Sequence, residues 1–265
     1  YTTVDVYKIY NWFLEEQGLP LLPDVPYDRR YLSYEDVYPM LYLKYRLEGA
    51  GRQDQIRHLV VDEMQDYSYL QYTILSLLFS CPMTLLGDRA QTMEEEQNDV
   101  TQFLPQILGK HLRKIEMNKS YRNTVEIARY AETLGGIKET ELLERHGKAV
   151  EEAEFSSGEE RTSQILKQVK TGPDGYETAA VLTMTEQEAK EIYENIREKT
   201  DQVHYIGRDS SRFGRGLTVT TFYMAKGLEF DHVFTAACKE QTGLTRQAEY
   251  ICATRALHEL YVYRV

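Results

Sequence analysis

Short apolar runs alternate with amphipathic segments in the first half of the chain. Residues 58–61 and 83–86 are apolar runs of strand length. Between them, the apolar side chains of residues 70–78 recur on one face of a helix. Because strands that alternate with helices are typical of parallel sheets, this pattern predicts an α/β fold.

The second half of the chain continues the same pattern. Runs suited to buried strands occur at residues 179–183, 203–206, 217–222, 232–236 and 260–263. Two helix starts are indicated by a polar residue with glutamate three positions later, the spacing of a capping box. These pairs are Asn123 with Glu126 and Thr185 with Glu188.

Length and composition indicate a globular protein of two modest domains. The chain has 265 residues, of which 42% are hydrophobic and 28% charged, so it can bury two ordinary cores. We place the boundary near Lys110. The glutamate-rich residues 136–160 are interpreted as a solvated helical hairpin or loop without chemistry.

Neither export nor membrane insertion is indicated. No signal-like segment opens the chain, and no run approaches the roughly 18 apolar residues that a membrane span needs. Cys81, Cys238 and Cys252 lack the spacing of metal ligands. We therefore expect a cytoplasmic protein without membrane contact, whose thiols are reduced and mostly buried.

The net charge of -11 argues against a free-standing nucleic-acid binder, because basic side chains supply most non-specific affinity for phosphates. It does not exclude a protein that carries a few basic groups in a channel. An acidic surface can also serve a protein partner.

Two neighbouring carboxylates follow the first predicted strand. Asp62 and Glu63 would lie at the carboxyl edge of a parallel sheet, where open α/β folds bind ligands. Asp62 can hold Mg²⁺ through its oxygens, and Glu63 can orient or deprotonate an attacking water, as phosphoryl transfer requires. Taken alone, two acids after an apolar run are more often a solvated turn or the start of a helix.

Further strings place these acids in a family context. The chain resembles the superfamily 1 helicases of the UvrD/Rep type in five strings that occur in the family's order. They are D-E-M-Q-D at residues 62–66, G-D-R-A-Q at 87–91, S-Y-R-N at 120–123, T-F-Y-M-A-K-G-L-E-F-D at 221–231 and Y-I-C-A-T-R-A at 250–256.

The resemblance implies a role in ATP hydrolysis for residues of both predicted domains. Asp62 would bind Mg²⁺, Glu63 would position the hydrolytic water, and Gln91 would sense the γ-phosphate. Arg122 and Arg255 would act as arginine fingers, whose planar, always-charged forks lysine could not replace. Outside this context, single arginines are usually surface ion pairs.

The resemblance also implies residues that hold the nucleoside and couple its state to the grip on a strand. Tyr121 would stack on adenine and Glu229 would accept a hydrogen bond from ribose, although a core tyrosine and a turn acid are the plain alternatives. Gln65, Thr221 and Gly227 would be the coupling residues. Thr221 could equally be an ordinary strand threonine, and Gly227 an ordinary turn glycine.

By this resemblance, residues 1–110 are the rear part of a first RecA-like motor domain and residues 111–265 are a second one. ATP and Mg²⁺ would bind between them, and hydrolysis would drive movement along a single strand of DNA. Single-stranded or duplex DNA is the expected partner. However, no G-x-x-x-x-G-K-[ST] string occurs. We therefore expect a fragment that begins inside the first motor domain and has negligible ATPase activity alone; a degenerate paralogue is the alternative.

Details of the strings resemble the HelD, helicase IV-like branch most closely. Tyr223 stands where UvrD and Rep carry histidine, and Asn118 to Arg122 read N-K-S-Y-R. Because members of this branch are implicated in recycling RNA polymerase, the resemblance implies that enzyme as a possible partner. The alternative to a motor is a non-enzymatic interaction module that binds a protein through its acidic faces.

Overall fold

The computed structural model describes residues 4–88, 100–109, 111–117, 119–136, 141–171, 175–208, 210, 214–240 and 242–265. The described residues up to Lys114 form one compact unit, and those from Ile115 onward form a second. The predicted boundary residue, Lys110, lies outside the described residues.

In its described residues, the first unit combines four α-helices with a parallel pair of short strands. The elements in chain order are α1 (Val6–Glu16), α2 (Tyr34–Glu48), β1 (Leu59–Val61), α3 (Tyr69–Leu78), β2 (Met83–Leu85) and α4 (Val100–Leu108). Leu59 is in register with Met83, and Val61 with Leu85. The strands predicted at residues 58–61 and 83–86, and the helix between them, are confirmed.

Helix α3 holds the turn that follows β1. It begins at a capping box, in which the Ser68 hydroxyl accepts from the Gln71 amide and the Gln71 side chain accepts from the Ser68 amide. Tyr72, fully buried on this helix, donates through its hydroxyl to the main-chain oxygen of Met64 at 2.9 Å. Its ring lies 6.1 Å from that of Phe103 on α4. Packing of the two helices thus fixes the main chain after β1.

The second unit is built on a sheet of six parallel strands in the order β5-β10-β9-β6-β8-β7. Its strands are β5 (Glu151–Glu154), β6 (Thr178–Thr183), β7 (Val203–Ile206), β8 (Gly216–Thr221), β9 (Phe230–Ala237) and β10 (Ala256–Arg264). Its helices are α5 (Val125–Gly135), α6 (Gly158–Gln168), α7 (Glu186–Arg197) and α8 (Gly243–Thr254). A separate parallel pair joins β3 (Lys119–Ser120) to β4 (Glu141–Leu142).

Helices cover both faces of this sheet. Along β6, Ala180 and Leu182 belong to a core shared with α5 and α8, whereas Ala179 and Val181 belong to a core shared with α6 and α7. Burial on both faces explains why the central strands read as continuous apolar runs rather than as alternating ones. The predicted α/β class and the five strands predicted in this half are confirmed.

The interpretation of residues 136–160 as a solvated hairpin or loop is wrong. This segment contains β4 and β5 and the start of α6. Strand β5 lies at the edge of the sheet, and Ala153 packs against the core while glutamates flank it. An edge strand tolerates polar residues because one side of it stays open to water.

The capping box predicted at Asn123 and Glu126 is also wrong, because Thr124 is the residue that precedes α5. Asn123 uses its side-chain amide elsewhere, and Glu126 accepts from the amide of Gly147. The helix start predicted at Thr185 is confirmed, since its hydroxyl accepts from the amide of Glu188 at 3.2 Å.

Within the described ranges, no helix has both the length and the apolar character needed to cross a membrane. Cys81, Cys238 and Cys252 are all free thiols. Cys252 is buried, and burial raises its pKa to about 12, whereas Cys81 and Cys238 are partly exposed. The buried thiol of Cys252 is therefore protonated at neutral pH and behaves as an apolar side chain.

Candidate functional site

The two carboxylates that follow β1 lie on a tight turn. Asp62 accepts from the main-chain amide of Glu63 at 2.9 Å. Glu63 has φ of 50° and ψ of 47°, the left-handed region that residues other than glycine rarely occupy. This conformation costs about 1–2 kcal/mol. Strain of this kind is retained where a side chain must be presented in one direction.

Gln65 connects this turn to the segment that follows β2. Its side chain is almost fully buried, and its amide nitrogen donates to Glu63 Oε2 at 2.5 Å. Its amide oxygen accepts from the main-chain nitrogen of Asp88 at 3.1 Å. The buried side-chain amide of Gln65 is therefore hydrogen-bonded both to the Glu63 carboxylate and to the main chain after β2. Gln91 itself lies outside the described residues.

Gly87 leaves the space that the Gln65 side chain occupies. A Cβ atom at this position would overlap Gln65 Oε1 and would lie 2.7 Å from Met64 Cγ. Gly51, by contrast, has nothing within 4 Å of such an atom. The requirement for glycine at residue 87 is therefore steric, and it comes from Gln65 and Met64.

Replacing Gly87 with alanine is expected to lower the free energy of unfolding by about 1–3 kcal/mol, because the new methyl group must displace Gln65. Gly51→Ala is the matched control and should change stability by less than about 1 kcal/mol. Urea titrations of both variants measure the difference. Equal effects at the two positions would contradict the steric role of Gly87.

The donor set at this turn suits a magnesium ion that arrives with phosphates. Among the described residues, no group of three or more histidine, cysteine, aspartate or glutamate side chains is arranged to hold a metal. Asp62 is exposed, and its carboxylate offers hard oxygens. Because Mg²⁺ is commonly held by one or two carboxylates together with water and substrate phosphates, Asp62 fits such an ion.

In the second unit, Arg122 and Glu229 form an ion pair. Arg122 Nε lies 2.7 Å from Glu229 Oε1, and the two side chains are 49% and 40% exposed. An ion pair this exposed contributes at most about 1 kcal/mol to the free energy of unfolding. Neighbouring Tyr121 is 61% exposed. All three side chains are therefore accessible to a ligand, and the ion pair can be exchanged at small cost.

Arg255 lies close by but is buried, with only 2% of the residue exposed. It donates to the main-chain oxygen of Leu228 at 3.4 Å and to the Thr254 hydroxyl at 3.1 Å. Its own main-chain oxygen accepts from Phe230 at the start of β9. Arg255 therefore supports the loop that carries Glu229, in addition to any contact with a ligand.

Strand register separates Thr221 from this group. Thr221 is in register with Thr183, which is in register with Ala236 near the end of β9. Glu229 immediately precedes Phe230 at the beginning of β9. At a rise of roughly 3.3 Å per residue, six residues of strand span about 20 Å. Arg122, Glu229 and Arg255 thus gather at the amino edge of the sheet, whereas Thr221 lies at its carboxyl edge.

The segment from Thr221 to Asp231 is the crossover that joins these two edges. A turn begins where the Ala225 amide donates to the Thr221 oxygen at 3.0 Å, and Gly227 then takes a φ of 81°. That left-handed conformation strains other residue types, which accounts for the glycine. Thr221 is buried, and its hydroxyl has no hydrogen-bond partner in the part of the chain that the structure describes.

Asp231, the second acid of this crossover, stabilises the sheet. Its carboxylate accepts from the amide and the hydroxyl of Thr178 at 3.0 and 2.9 Å, which joins β9 to the start of β6. Sequence reasoning missed two further residues. Asn123 donates to the main-chain oxygen of Ala256 at 2.6 Å, and Arg145 donates to that of Arg122. Asn123 stands inside a recognised string, but nothing in the sequence marks Arg145.

Comparison with known proteins matches part of the chain to a family of helicase domains. Residues 216–263 match the family model described as the UvrD-like helicase C-terminal domain. The match contains both the crossover and the string that contains Arg255. No curated protein matches the chain.

Several solved helicases resemble the chain at low similarity. The C-terminal domain of a possible DNA helicase from Lactobacillus plantarum WCFS1 is 24% identical, with 55% of this chain and 88% of that one covered and a TM-score of 0.41. Arterivirus nonstructural protein 10, a helicase, is 14% identical, with 99% and 51% covered and a TM-score of 0.45. The structure of this arterivirus protein in complex with DNA is also 14% identical to the chain, with a TM-score of 0.43. The match covers 80% of this chain and 41% of that one. The chain therefore spans about half of the arterivirus helicase or less, and its fold assignment rests on its own sheet.

Proposed function

We propose that this chain is part of an ATP-dependent motor that moves along single-stranded DNA. The match of residues 216–263 to a helicase C-terminal domain carries the proposal. The gathering of Arg122, Glu229 and Arg255 at one edge of the sheet supports it. The RecA-like character of both units belongs to this proposal as well.

In this proposal the residues after β1 prepare the attack of water on the terminal phosphate. Asp62 would hold Mg²⁺, which would supply positive charge against the negative charge that develops on the phosphates. Glu63 orients the water and accepts its proton, and Gln65 holds the Glu63 carboxylate at 2.5 Å in the required direction. The strain at Glu63 favours one orientation of the side chain over others.

Residues at the amino edge of the second sheet stabilise the phosphates and the nucleoside. Arg122 exchanges Glu229 for phosphate oxygens, which releases the Glu229 carboxylate to accept from ribose. Tyr121 offers an exposed ring for stacking on adenine. Arg255 contributes its guanidinium charge from behind the same loop.

The crossover couples the state of the nucleotide to the grip on the DNA strand. Thr221 and Gly227 belong to one short segment that spans the sheet from edge to edge, so a shift at Glu229 is transmitted towards Thr221. Gln65 plays the matching role in the first unit, since it bonds both Glu63 and the chain after β2. Gln91 remains assigned to the γ-phosphate as a prediction.

The chain contains no phosphate-cradling P-loop string, so we expect no ATP turnover from these residues alone. Single-stranded DNA is the proposed track, and the HelD-like details make RNA polymerase a proposed partner. A cytoplasmic location is part of the same proposal.

The first experiment measures ATP hydrolysis by the full-length product of the gene, with and without single-stranded DNA and with RNA polymerase. Glu63→Gln should lower kcat by about 10²–10⁴-fold and leave KM nearly unchanged, because it removes the proton acceptor but not the binding groups. Glu48→Gln, at an exposed position in the same unit, is the control.

Turnover that DNA stimulates and that Glu63→Gln abolishes supports the motor. If neither DNA nor RNA polymerase elicits turnover in the full-length protein, the motor proposal fails. Binding to RNA polymerase under those conditions would favour the non-enzymatic module instead.

A further inference from the structure

Arg145 joins the two segments that carry the proposed phosphate-binding arginines. Its Nη2 atom donates to the main-chain oxygen of Arg122 at 2.7 Å and also to that of Leu257. Leu257 stands two residues after Arg255, at the beginning of β10. We infer that Arg145 is a positioning residue, which holds Arg122 at a set distance from Arg255.

The Arg122 segment needs such support, because it lies outside the six-stranded sheet. It follows β3, which pairs with the two residues of β4. The start of β10, by contrast, is bonded to β9 through Phe230 and Ala256. Asn123 supplies one link between the two segments, through the oxygen of Ala256. Arg145 supplies a second link, through the main-chain oxygens of Arg122 and Leu257.

Arg145 is itself held by the main chain. Its amide donates to the oxygen of Leu143 at 2.7 Å, and its own oxygen accepts from the amide of Val125 at 2.9 Å. The side chain therefore starts from a point fixed against the first turn of α5. The same Nη2 atom of this planar guanidinium donates to both carbonyl oxygens, so a side chain with a fixed origin holds the two segments close together.

The burial of Arg145 also favours a geometric role. Its Nε atom is buried and has no hydrogen-bond partner among the described residues. An unsatisfied donor on a partly desolvated charge costs free energy, so this arrangement is a poor way to gain stability alone. A residue that sets the position of a neighbouring arginine gives a reason for retaining that cost.

The catalytic consequence rests on the proposed function. An arginine that stabilises a transferring phosphoryl group must be placed to within about 0.5 Å, and a displacement of 1 Å can lower the rate by about 100-fold. Loss of Arg145 should therefore lower kcat by about 10–100-fold. KM for ATP should change less than kcat, because Glu229 lies on the loop that Arg255 supports through the main-chain oxygen of Leu228.

A double-mutant cycle separates this role from general stabilisation. In the full-length product of the gene, Arg145→Met should lower kcat in the wild-type background but add little to Arg122→Ala, because Arg145 acts through Arg122. Arg145→Lys should restore only part of the activity. Arg129→Met, at an exposed position on α5, is the control and should leave turnover unchanged. Equal losses from Arg145→Met in both backgrounds would overturn the inference.

Amide hydrogen exchange tests the placement independently of turnover. In the 265-residue chain, Arg145→Met should accelerate exchange at residues 121–124 and leave the central strands β6 and β9 protected. If exchange at residues 121–124 is unchanged, Arg145 does not hold this segment and the inference is wrong. Accelerated exchange in a protein whose wild type hydrolyses no ATP would instead support the placement and reject the proposed function.

Discussion

Replacing Arg255 with lysine lowers ATP turnover by about 10³-fold or more in the full-length product of the gene, if Arg255 acts on the transferring phosphate. Lysine keeps the charge but loses the planar fork that reaches Leu228 and Thr254 at the same time. Because Arg255 is almost fully buried, we also expect the free energy of unfolding to fall by about 1–3 kcal/mol. Steady-state kinetics and urea denaturation of the same preparation measure the two effects.

Two further variants separate catalysis from stability. Arg246→Lys makes the same change at an exposed position on α8 and should affect neither quantity. Arg122→Lys should lower turnover while changing stability by less than about 1 kcal/mol, because its ion pair with Glu229 is exposed. If folded Arg255→Lys protein turns over ATP as fast as the wild type, Arg255 serves the loop before β9 alone.

Stability should fall as the pH falls from 6.5 towards 4, and His232 should account for most of that loss. His232 is fully buried, with its ring 4.4 Å from Phe234 and 4.9 Å from Tyr261. Burial lowers its pKa to about 4, although Glu259, 4.0 Å away, favours the protonated form. Both ring nitrogens lack hydrogen-bond partners among the described residues.

The sign follows from the lowered pKa of His232 in the folded chain. Between pH 6.5 and 4 the unfolded chain binds a proton at His232 that the folded chain does not, so acidification favours unfolding. The full loss is roughly 3 kcal/mol. Burial tends to raise the pKa of Glu259, but hydrogen bonds from Tyr261, Lys170 and Tyr176 outweigh it and hold that pKa at about 2. The contribution of Glu259 to the free energy of unfolding is therefore lost mainly below pH 4.5.

Urea titrations at pH 6.5, 5.5 and 4.5, followed by circular dichroism, measure this dependence. His232→Phe should flatten the profile across the window, because phenylalanine fills the apolar site without titrating. His111→Phe, at an exposed position, is the matched control and should leave the slope in place. A wild-type slope that persists in His232→Phe would assign the pH dependence to other groups.

The central strands of the second unit were recognisable in the sequence because they are buried on both sides. Strand β6 and the core of β9 are continuous apolar runs, because helices cover both faces of the sheet. Residues 151–154 were not recognisable as a strand, because an edge position removes the demand for an apolar run. Asn123 is a residue type that often caps helices, but its side-chain amide donates to the main-chain oxygen of Ala256, which is distant in the sequence. Local spacing cannot register such a distant partner.

The candidate site shows the same division. Motifs identify residue types, and from those types the sequence predicts phosphate chemistry for Asp62, Glu63 and Arg122. They carry no information on burial or pairing. That Arg255 is buried under Leu228, or that Arg122 is bonded to Glu229, depends on a crossover whose path only the folded sheet defines. Arg145 belongs to no motif, since its partners are main-chain oxygens that any residue can supply.

Strand β5 leaves one row of main-chain donors and acceptors of the sheet open to solution. Such an edge can recruit the strand of another molecule and begin aggregation. Three of the four residues of β5 are glutamates. Two copies brought together along this edge would align like charges at close range, which opposes their pairing. The glutamates that make β5 hard to recognise as a strand in the sequence thus also limit self-association through this edge. Apolar substitutions in β5 would remove that protection.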